Sequence, residues 1–314
     1  MLSRTANDLY WMSRHTERAE NTARILGVTS NVVLCSTPET QEQNLLAPLS
    51  ITGTTDAYLE RHDRISLPGL IDFIALDPDN PSSIYTCLKL ARDNAHAVRW
   101  QITSEMWETL NAAWIEMRSF RRESVTGPEA TRFFDWVKDR SHLFRGITFG
   151  TMIRDEGYSF IRLGTFLERA DNTARILDAK YHTLLPSVDE VGGAVDHYQW
   201  SALLRSVSAF SSYRKIYRDV ITPLRVAELM ILRDDVPRSL HHCMNAIYEI
   251  LQALCDEDRL EPERLAGEIH AQLHYGKTER IFKVGLHEYL LEFLDQIGAL
   301  NVELNKHFLV PTYA

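Results

Sequence analysis

The chain has 314 residues, of which 45% are apolar and 25% are charged, so it can bury a sizeable core and is not expected to be disordered. Its formal net charge of −9 argues against binding to nucleic acid or to an anionic membrane surface, because both require a basic surface. The chain does not open on a signal-peptide pattern and no apolar run approaches the ~20 residues needed to cross a bilayer, so a cytoplasmic location is expected.

Helical periodicity dominates the first half of the sequence, and strand signals are almost absent. The first helix is predicted to begin near Thr5, which has capping-box spacing with Asp8, and to end near Leu34. Proline and polar residues predict a break across 36–56. The other helices predicted in this half are one from Pro81 toward Trp100, one over 104–122 and one over 129–145.

The second half repeats this helical pattern. A long helix over roughly 152–184 is predicted to end before Pro186, and the stretch 186–196 is predicted to be a loop. The remaining predicted helices cover 198–221, 223–232, 237–255, 262–275 and 279–307. The sequence therefore predicts an all-α protein.

An internal duplication is visible at the level of short segments. Residues 17–26 read ERAENTARIL and residues 168–177 read ERADNTARIL, with a single Glu-to-Asp difference at an offset of 151. DNPSSIYTCL (79–88) resembles DVPRSLHHCM (235–244) at an offset of 156. We therefore predict a single large helical domain of two duplicated, pseudo-two-fold-related halves, repeat 1 over about 1–150 and repeat 2 over about 151–314.

The repeated decapeptide places its polar side chains on one helical stripe, about 100° wide. A polar stripe usually faces solvent, but the second motif helix is apolar on most of its other sides, which favours burial. Buried carboxylates and guanidinium groups must be paired, because an unpaired buried charge costs several kcal/mol. The stripe consists of Glu17, Glu20, Asn21 and Arg24 in the first copy, and of Glu168, Asp171, Asn172 and Arg175 in the second; Arg18 and Arg169 lie beside it.

Two roles are open for this stripe. It can be a structural network, in which Glu20–Arg24 and Asp171–Arg175 pair at i,i+4 spacing. It can instead bind a peptide or a small anionic or zwitterionic ligand, with arginine clamping a carboxylate. We expect structural roles for four residues, Glu17, Glu168, Asn21 and Asn172. We expect functional roles for Arg18 and Arg169.

No metal and no cofactor are expected. Four carboxylates on two helices superficially resemble a di-metal site, but the stripe has no histidine, and its arginines compete with a cation. His270 and His274 have i,i+4 spacing, yet the 12 histidines of the chain give about half such a pair by chance. No Walker loop, dinucleotide fingerprint or nucleophile elbow occurs.

The chain resembles the bacterial alpha-E family, an all-helical group named for its Glu-Arg motif. The resemblance rests on LSRTANDLYWMSRHTERAENTARIL (2–26), DNPSSIYTCLKLARDNAHAVR (79–99) and GYSFIRLGTFLERADNTARILD (157–178), and covers essentially the whole chain. The family motif corresponds here to Glu17-Arg18 and Glu168-Arg169. Genes of this family typically accompany circularly permuted ATP-grasp ligases and transglutaminase-like peptidases, and some members are fused to the ligase.

The resemblance implies ATP-dependent amide-bond or peptide-bond formation, with the ligase, and also the peptidase, as expected partners. Our first hypothesis is an accessory or substrate-binding protein that works with an ATP-grasp ligase on peptides or small metabolites. One alternative is an enzyme, a transferase or hydrolase that uses the Glu/Arg cluster. Another is a helical scaffold without ligand. The lack of a recognisable nucleophile or nucleotide loop favours the first hypothesis over the enzyme.

Overall fold

A computed structural model describes residues 1–34, 38–125, 127, 129–182, 193–255 and 260–310 of the chain. All regular secondary structure in these ranges is helical, so the all-α prediction is confirmed. None of the helices in these ranges is long and apolar enough to cross a membrane. The chain forms two compact units, Met1–Glu168 with Phe308–Ala314, and Arg169–His307.

The first unit is built on the long helix α1, which packs against α2, α5 and α7 through its small and apolar side chains. Ala19, Ala23 and Leu26 of α1 are fully or almost fully buried in this core. Small alanines let the neighbouring helices approach closely. The helices that begin in this unit are α1 (Ser3–Leu34), α2 (Pro38–Thr52), α3 (Thr55–Leu59), α4 (Leu67–Ile71), α5 (Ile84–Ala97), α6 (Ser104–Met117), α7 (Glu129–Thr151) and α8 (Glu156–His182), with a π-helical turn at Asp72–Leu76 and a 3-10 turn at Arg122–Val125.

In its described residues, the second unit contains the end of α8 and seven further helices. Among these, α12, α13 and α15 pack together through mainly apolar faces. The helices are α9 (Ala194–Ser206), α10 (Phe210–Tyr217), α11 (Pro223–Ala227), α12 (Leu240–Cys255), α13 (Glu261–His274), α14 (Thr278–Val284) and α15 (Leu286–Leu304), with π-helical turns at Glu228–Leu232 and Asn305–Leu309.

The break predicted across 36–56 is wrong, because α2 occupies most of this stretch. Pro38 is the first helical residue, a position where the missing N–H leaves no hydrogen bond unmade. Pro48 lies inside the helix and removes one donor. Leu45 and Leu49 are buried in the core of the first unit, and this packing outweighs the local cost of the proline.

Two long predicted helices are interrupted in the structure. The segment over 198–221 is divided between α9 and α10, and the segment over 279–307 is divided at Gly285. Gly285 has a φ of +111°, which an L-residue in a helix does not adopt. The predicted loop over 186–196 lies mostly outside the described residues, and the described part shows that α9 already begins at Ala194.

The same local structure occurs in each unit at an offset of 156. Ser83 receives a hydrogen bond from the Thr86 N–H at 3.1 Å and donates to the Asp77 carbonyl at 2.6 Å. Ser239 receives the N–H of His242 at 3.0 Å and donates to the carbonyl of Arg233. The buried positions of α6 and α13 share this offset: Met106, Leu110, Ala113 and Met117 in the first unit, and Pro262, Ala266, Ile269 and Leu273 in the second.

A duplicated sequence predicts such recurring local structure. The boundaries of the two repeats and the pseudo-two-fold relation between the halves stay predictions.

Within the first unit, α8 approaches α1 so closely that only glycine fits at the contact. A Cβ added to Gly164 would overlap the hydroxyl of Ser13 and the backbone carbonyl of Tyr10. Gly146, in the exposed part of α7, has open space around the same added atom. An added methyl group therefore clashes at Gly164 and fits at Gly146, although both glycines lie within helices.

Gly164→Ala should destabilise the protein by about 1–3 kcal/mol, because overlap with the α1 backbone outweighs the ~1 kcal/mol helix-propensity gain of alanine. Gly146→Ala, the matched control, should be neutral or stabilising by up to about 1 kcal/mol. Urea unfolding of the parent and both variants measures the two effects. A Gly164→Ala protein at least as stable as the parent would show that the close contact is absent.

Candidate functional site

The polar stripe of α1 lies inside the first unit. Glu17, Glu20 and Asn21 are at most 2% exposed, and the side chain of Arg24 is 12% exposed. Three of the four positions are therefore removed from water almost completely. Charges in such a place must be compensated by neighbouring groups.

Glu168 is held by two arginines from α1. Arg18 donates from Nε to Oε1 at 2.6 Å and from a terminal nitrogen to Oε2 at 3.0 Å. Arg14 donates from Nε to Oε2 at 2.8 Å, and also to the Tyr10 hydroxyl at 3.1 Å. The guanidinium carbon of Arg14 lies 4.9 Å from the centre of the Trp11 ring, a cation–π distance. A carboxylate on α8 is thereby bound to consecutive turns of α1.

The two arginines determine the protonation state of Glu168. Burial raises the pKa of its carboxyl, but the positive charges of Arg18 and Arg14 and their hydrogen bonds more than reverse this, leaving a pKa of about 2. A group with this pKa is ionised at every physiological pH. It cannot serve as a general acid near neutrality, because a useful catalytic pKa lies near the working pH.

Two other titratable groups near this carboxylate are also poorly suited to catalysis. Burial, followed by the charge of Arg18, lowers the pKa of His15 to about 4, so its imidazole is neutral at pH 7. Its Nδ1 is buried without a hydrogen-bond partner among the described residues. Burial raises the pKa of Cys87 to about 12, so this thiol stays protonated and is a weak nucleophile.

A second ion-pair cluster surrounds Glu20. Arg24 donates from Nε to its Oε1 at 2.8 Å, and Ser141 of α7 donates to its Oε2 at 2.7 Å. Arg145 of α7 contacts Oε2 of Glu20 and also donates to Oε2 of Glu17 at 2.8 Å. Two carboxylates thus meet two guanidinium groups, so these four side chains are balanced in charge.

The second copy of the motif lies differently. Asp171 and Arg175 form an i,i+4 pair with hydrogen bonds of 2.8 and 3.1 Å, but the side chain of Arg175 is 43% exposed. Asn172 is partly buried. Arg169 is 8% exposed and donates to the backbone carbonyl of Pro237 at 3.3 Å, within the second unit. The two copies therefore use the same residue types in different environments.

These contacts favour the structural role over the ligand role for the motif. Arg18, expected to bind a ligand, is engaged by Glu168, and Arg169 is engaged by a backbone carbonyl. A cation at the stripe carboxylates would have to displace arginines already bound to them. The absence of a metal at the stripe and the ligand role of the two arginines both stay predictions.

Several residues of the network were not identified from the sequence. Arg14 could have been, because it lies one turn before Arg18 on the same helix and so on the same side. Ser141 and Arg145 of α7 contact Glu20, and His142 of α7 lies 3.0 Å from a terminal nitrogen of Arg24. Each lies more than 100 positions from its partner on α1. No spacing rule connects residues so far apart.

Comparison with known proteins identifies a family that is described by the same Glu-Arg motif. The model of the alpha-E family, described as a predicted alpha-helical domain with a conserved ER motif, matches residues 1–309. Uncharacterised proteins of Mycobacterium tuberculosis and Mycobacterium bovis are 27% identical to the chain over 318 residues. The match covers 94% of this chain but 35% of each relative, so the chain spans about a third of their length. No solved structure matches the chain significantly.

Glu168→Gln should destabilise the protein at pH 7 and do so less at pH 3.5. The folded-state pKa of about 2 lies below the ordinary value of 4.5, so the stabilisation is complete above about pH 4.5 and is lost as the pH falls toward 2. The shift corresponds to about 3 kcal/mol at pH 7, and the penalty should fall by roughly 1.4 kcal/mol at pH 3.5. Urea unfolding at both pH values measures it.

Asp171→Asn is the matched control for this experiment. It removes a motif carboxylate whose arginine partner is largely exposed, so it should change the unfolding free energy by at most about 1 kcal/mol. Glu168 raises the pKa of His15, which titrates in the same pH interval, so parent and variants are compared on a His15→Gln background, where this titration is absent. A Glu168→Gln penalty that equals the Asp171→Asn penalty, or that does not vary with pH, would contradict a tightly paired buried carboxylate.

Proposed function

The chain belongs to the alpha-E family, and on this premise we propose that it is a non-catalytic accessory protein of an ATP-grasp amide or peptide ligase. In this role it holds the ligase, its peptide substrate or its product while the ligase forms the amide bond. The family's usual gene neighbours, ATP-grasp ligases and transglutaminase-like peptidases, are the starting point for this proposal. The long non-matching part of the mycobacterial relatives is compatible with the fusions to a ligase that occur in this family.

The observation that carries the proposal is that the buried carboxylates of the motif are bound by arginines, from the motif and from outside it. Glu168 is bound by Arg14 and Arg18, and Glu20 is bound by Arg24 and Arg145. A residue that stabilises the fold in this way is not released for proton transfer or nucleophilic attack. The motif then stabilises the helical fold, and the surface that binds a partner lies elsewhere.

The enzyme alternative requires a group that titrates near neutral pH beside a reacting atom. In the cluster around Glu168 the pKa of Glu168 is about 2, that of His15 about 4 and that of Cys87 about 12. All three values lie far from neutrality. The Glu/Arg cluster therefore supports a transferase or hydrolase less well than it supports an accessory protein.

We propose that the ligase docks at the part of the first unit that carries three exposed apolar side chains, Trp100, Phe149 and Ile153. Their exposures are 69%, 66% and 79%, high for such large apolar side chains. A 3.0 Å hydrogen bond between the hydroxyls of Thr103 and Thr151 joins the two segments that carry them. Large apolar side chains exposed on adjoining segments are typical of protein interfaces.

Affinity purification of the tagged chain from its native host, followed by mass spectrometry, should enrich an ATP-grasp ligase. The double variant Trp100→Ser/Ile153→Ser should lose at least about 90% of that enrichment, because interface energy is concentrated in a few large side chains. The control Val220→Ser/Val302→Ser removes apolar side chains of similar exposure from the second unit and should retain the ligase.

Failure of the parent to enrich any ATP-grasp ligase would contradict the proposal. If the ligase is enriched equally by all three proteins, the partner is right and the docking surface is wrong. Loss of self-association in the surface variant, without any ligase in the parent sample, would assign the surface to a second copy of the chain.

Stability and ligase-coupled ADP release should change together in Arg18→Ala. This variant removes two hydrogen bonds to a charged acceptor, at a cost of about 2–3 kcal/mol. Arg169→Ala removes a hydrogen bond of 3.3 Å to the Pro237 carbonyl, and the loss of this bond should cost about 1 kcal/mol. Thermal melting, measured together with ADP release, distinguishes a structural role of the arginines from a ligand-binding role. Arginine variants that melt like the parent but abolish activity would restore the ligand-binding role.

A further inference from the structure

Three histidines of the second unit face one another between two helices. His241 comes from the first turn of α12, and His270 and His274 come from the last turns of α13. Their ring centres form a nearly equilateral triangle with sides of 5.8, 5.5 and 5.6 Å. One ligand nitrogen from each ring lies within 4.8 Å of the other two.

His241 is the anchor of this group, because it is buried and has one nitrogen to spare. Its Nδ1 lies 2.7 Å from the backbone carbonyl of Leu232, so Nδ1 carries the proton and donates. Its Nε2 then presents a lone pair, and it is buried without a hydrogen-bond partner among the described residues. A histidine that donates one N–H to a backbone carbonyl and directs its other nitrogen to an ion is the usual arrangement at metal sites.

Aromatic neighbours pack against the rings of His270 and His274, and a carboxylate nearby favours a cation. Tyr248 stacks on His270 with ring centres 5.2 Å apart and an angle of 17°. Tyr275 meets the His274 ring edge-on at 4.7 Å. Glu249 is an acidic side chain that acts on His270, beside His241 and His274 themselves. His274 is exposed, so an ion can reach the group from solvent.

The corresponding positions of the first unit show that the fold does not require histidine here. At the offset of 156 they are Tyr85, Trp114 and Arg118. Tyr85 and Trp114 make an edge contact at 5.0 Å, and the Arg118 guanidinium lies 5.8 Å from the Trp114 ring. In the first unit, these three positions are therefore joined by aromatic and cation–π packing. In the second unit all three positions are histidine, a combination that packing alone does not explain.

We propose that His241, His270 and His274 form a three-histidine site for a divalent transition-metal ion of the Zn²⁺ type. Neutral imidazoles suit Zn²⁺ and its neighbours in the first transition series, whereas Mg²⁺ and Ca²⁺ prefer oxygen ligands. Three protein ligands leave a fourth position for water or a substrate atom, as in catalytic rather than structural zinc sites. The exposed side of the site, at His274, is where that position opens.

The geometry needs only small adjustments to bind the ion. Zinc–nitrogen bonds of about 2.0–2.1 Å in a tetrahedron bring the ligand nitrogens to about 3.3 Å from one another. The present separations, up to 4.8 Å, close by rotation of the exposed His274 and the half-buried His270 while the buried His241 stays fixed. The site is separate from the Glu/Arg network, and it differs from the sequence expectation that the chain binds no metal.

The spacing of His270 and His274 on α13 is one that chance alone can produce, and the third ligand comes from another helix. His241 lies 29 positions before His270 on another helix, so the third ligand could not be counted from spacing.

The test is a titration of the metal-free full-length protein with Co²⁺, followed by displacement with Zn²⁺. One equivalent of Co²⁺ should bind and give the strong visible absorption of a four-coordinate ion, and Zn²⁺ should displace it. His274→Arg places at this position the residue that the first unit carries, so the variant should fold normally. It should bind Co²⁺ at least about tenfold more weakly. His197→Gln, an exposed histidine of the same unit, is the matched control and should bind like the parent.

Far-UV circular dichroism and melting without metal verify that the variant is folded. The proposal is overturned if the parent binds less than one equivalent or gives no four-coordinate spectrum. It is equally overturned if His274→Arg binds as tightly as the parent, or if His197→Gln loses as much affinity as His274→Arg.

Discussion

A carboxylate that is 5% exposed has to be neutralised where it lies, and Glu168 is neutralised by two arginines on consecutive turns of α1. The requirement acts in both directions, since Arg14 is also buried and depends on the same carboxylate. Contact between the helices is close enough to require glycine at Gly164, one turn before the ion pair. Charge pairing and close packing therefore reinforce each other at the junction of α1 and α8 in the first unit.

The Glu-Arg motif is best understood through this requirement. In a short motif of charged residues, catalysis is the obvious first hypothesis. The pKa of Glu168, about 2, instead describes a group committed to its ion pairs. The copies of the motif have also diverged in environment, since Glu20 is fully buried and pairs with Arg145, whereas Asp171 is 25% exposed and pairs with Arg175, which is 43% exposed. A shared sequence motif has not produced a shared site, and function has to be sought on surfaces where the two units differ.

The sequence predicted most of the helices, among them α1, because helical periodicity is a local property. The burial favoured for the stripe is found at Glu17, Glu20 and Glu168, but Asp171 and Asn172 are half-buried and Arg175 is exposed. The features that depend on packing between distant parts of the chain could not be predicted from the sequence. The helix α2 forms despite Pro48 because Leu45 and Leu49 are buried, and Arg145 reaches Glu20 from 125 positions away. Similarly, the meeting of His241 with His270 depends on how α12 packs on α13, which no spacing of residues reports.

A double-mutant cycle between Arg18 and Glu168 tests most directly whether the motif is a buried structural ion pair. The cycle uses Arg18→Met, Glu168→Gln and the double variant, with unfolding free energies from urea titration at pH 7 and moderate ionic strength. Direct contact in a buried setting predicts a coupling energy of about 1.5–3 kcal/mol, with the double variant less destabilised than the sum of the single variants. A coupling energy below about 0.5 kcal/mol, the value typical of an exposed pair, would contradict it.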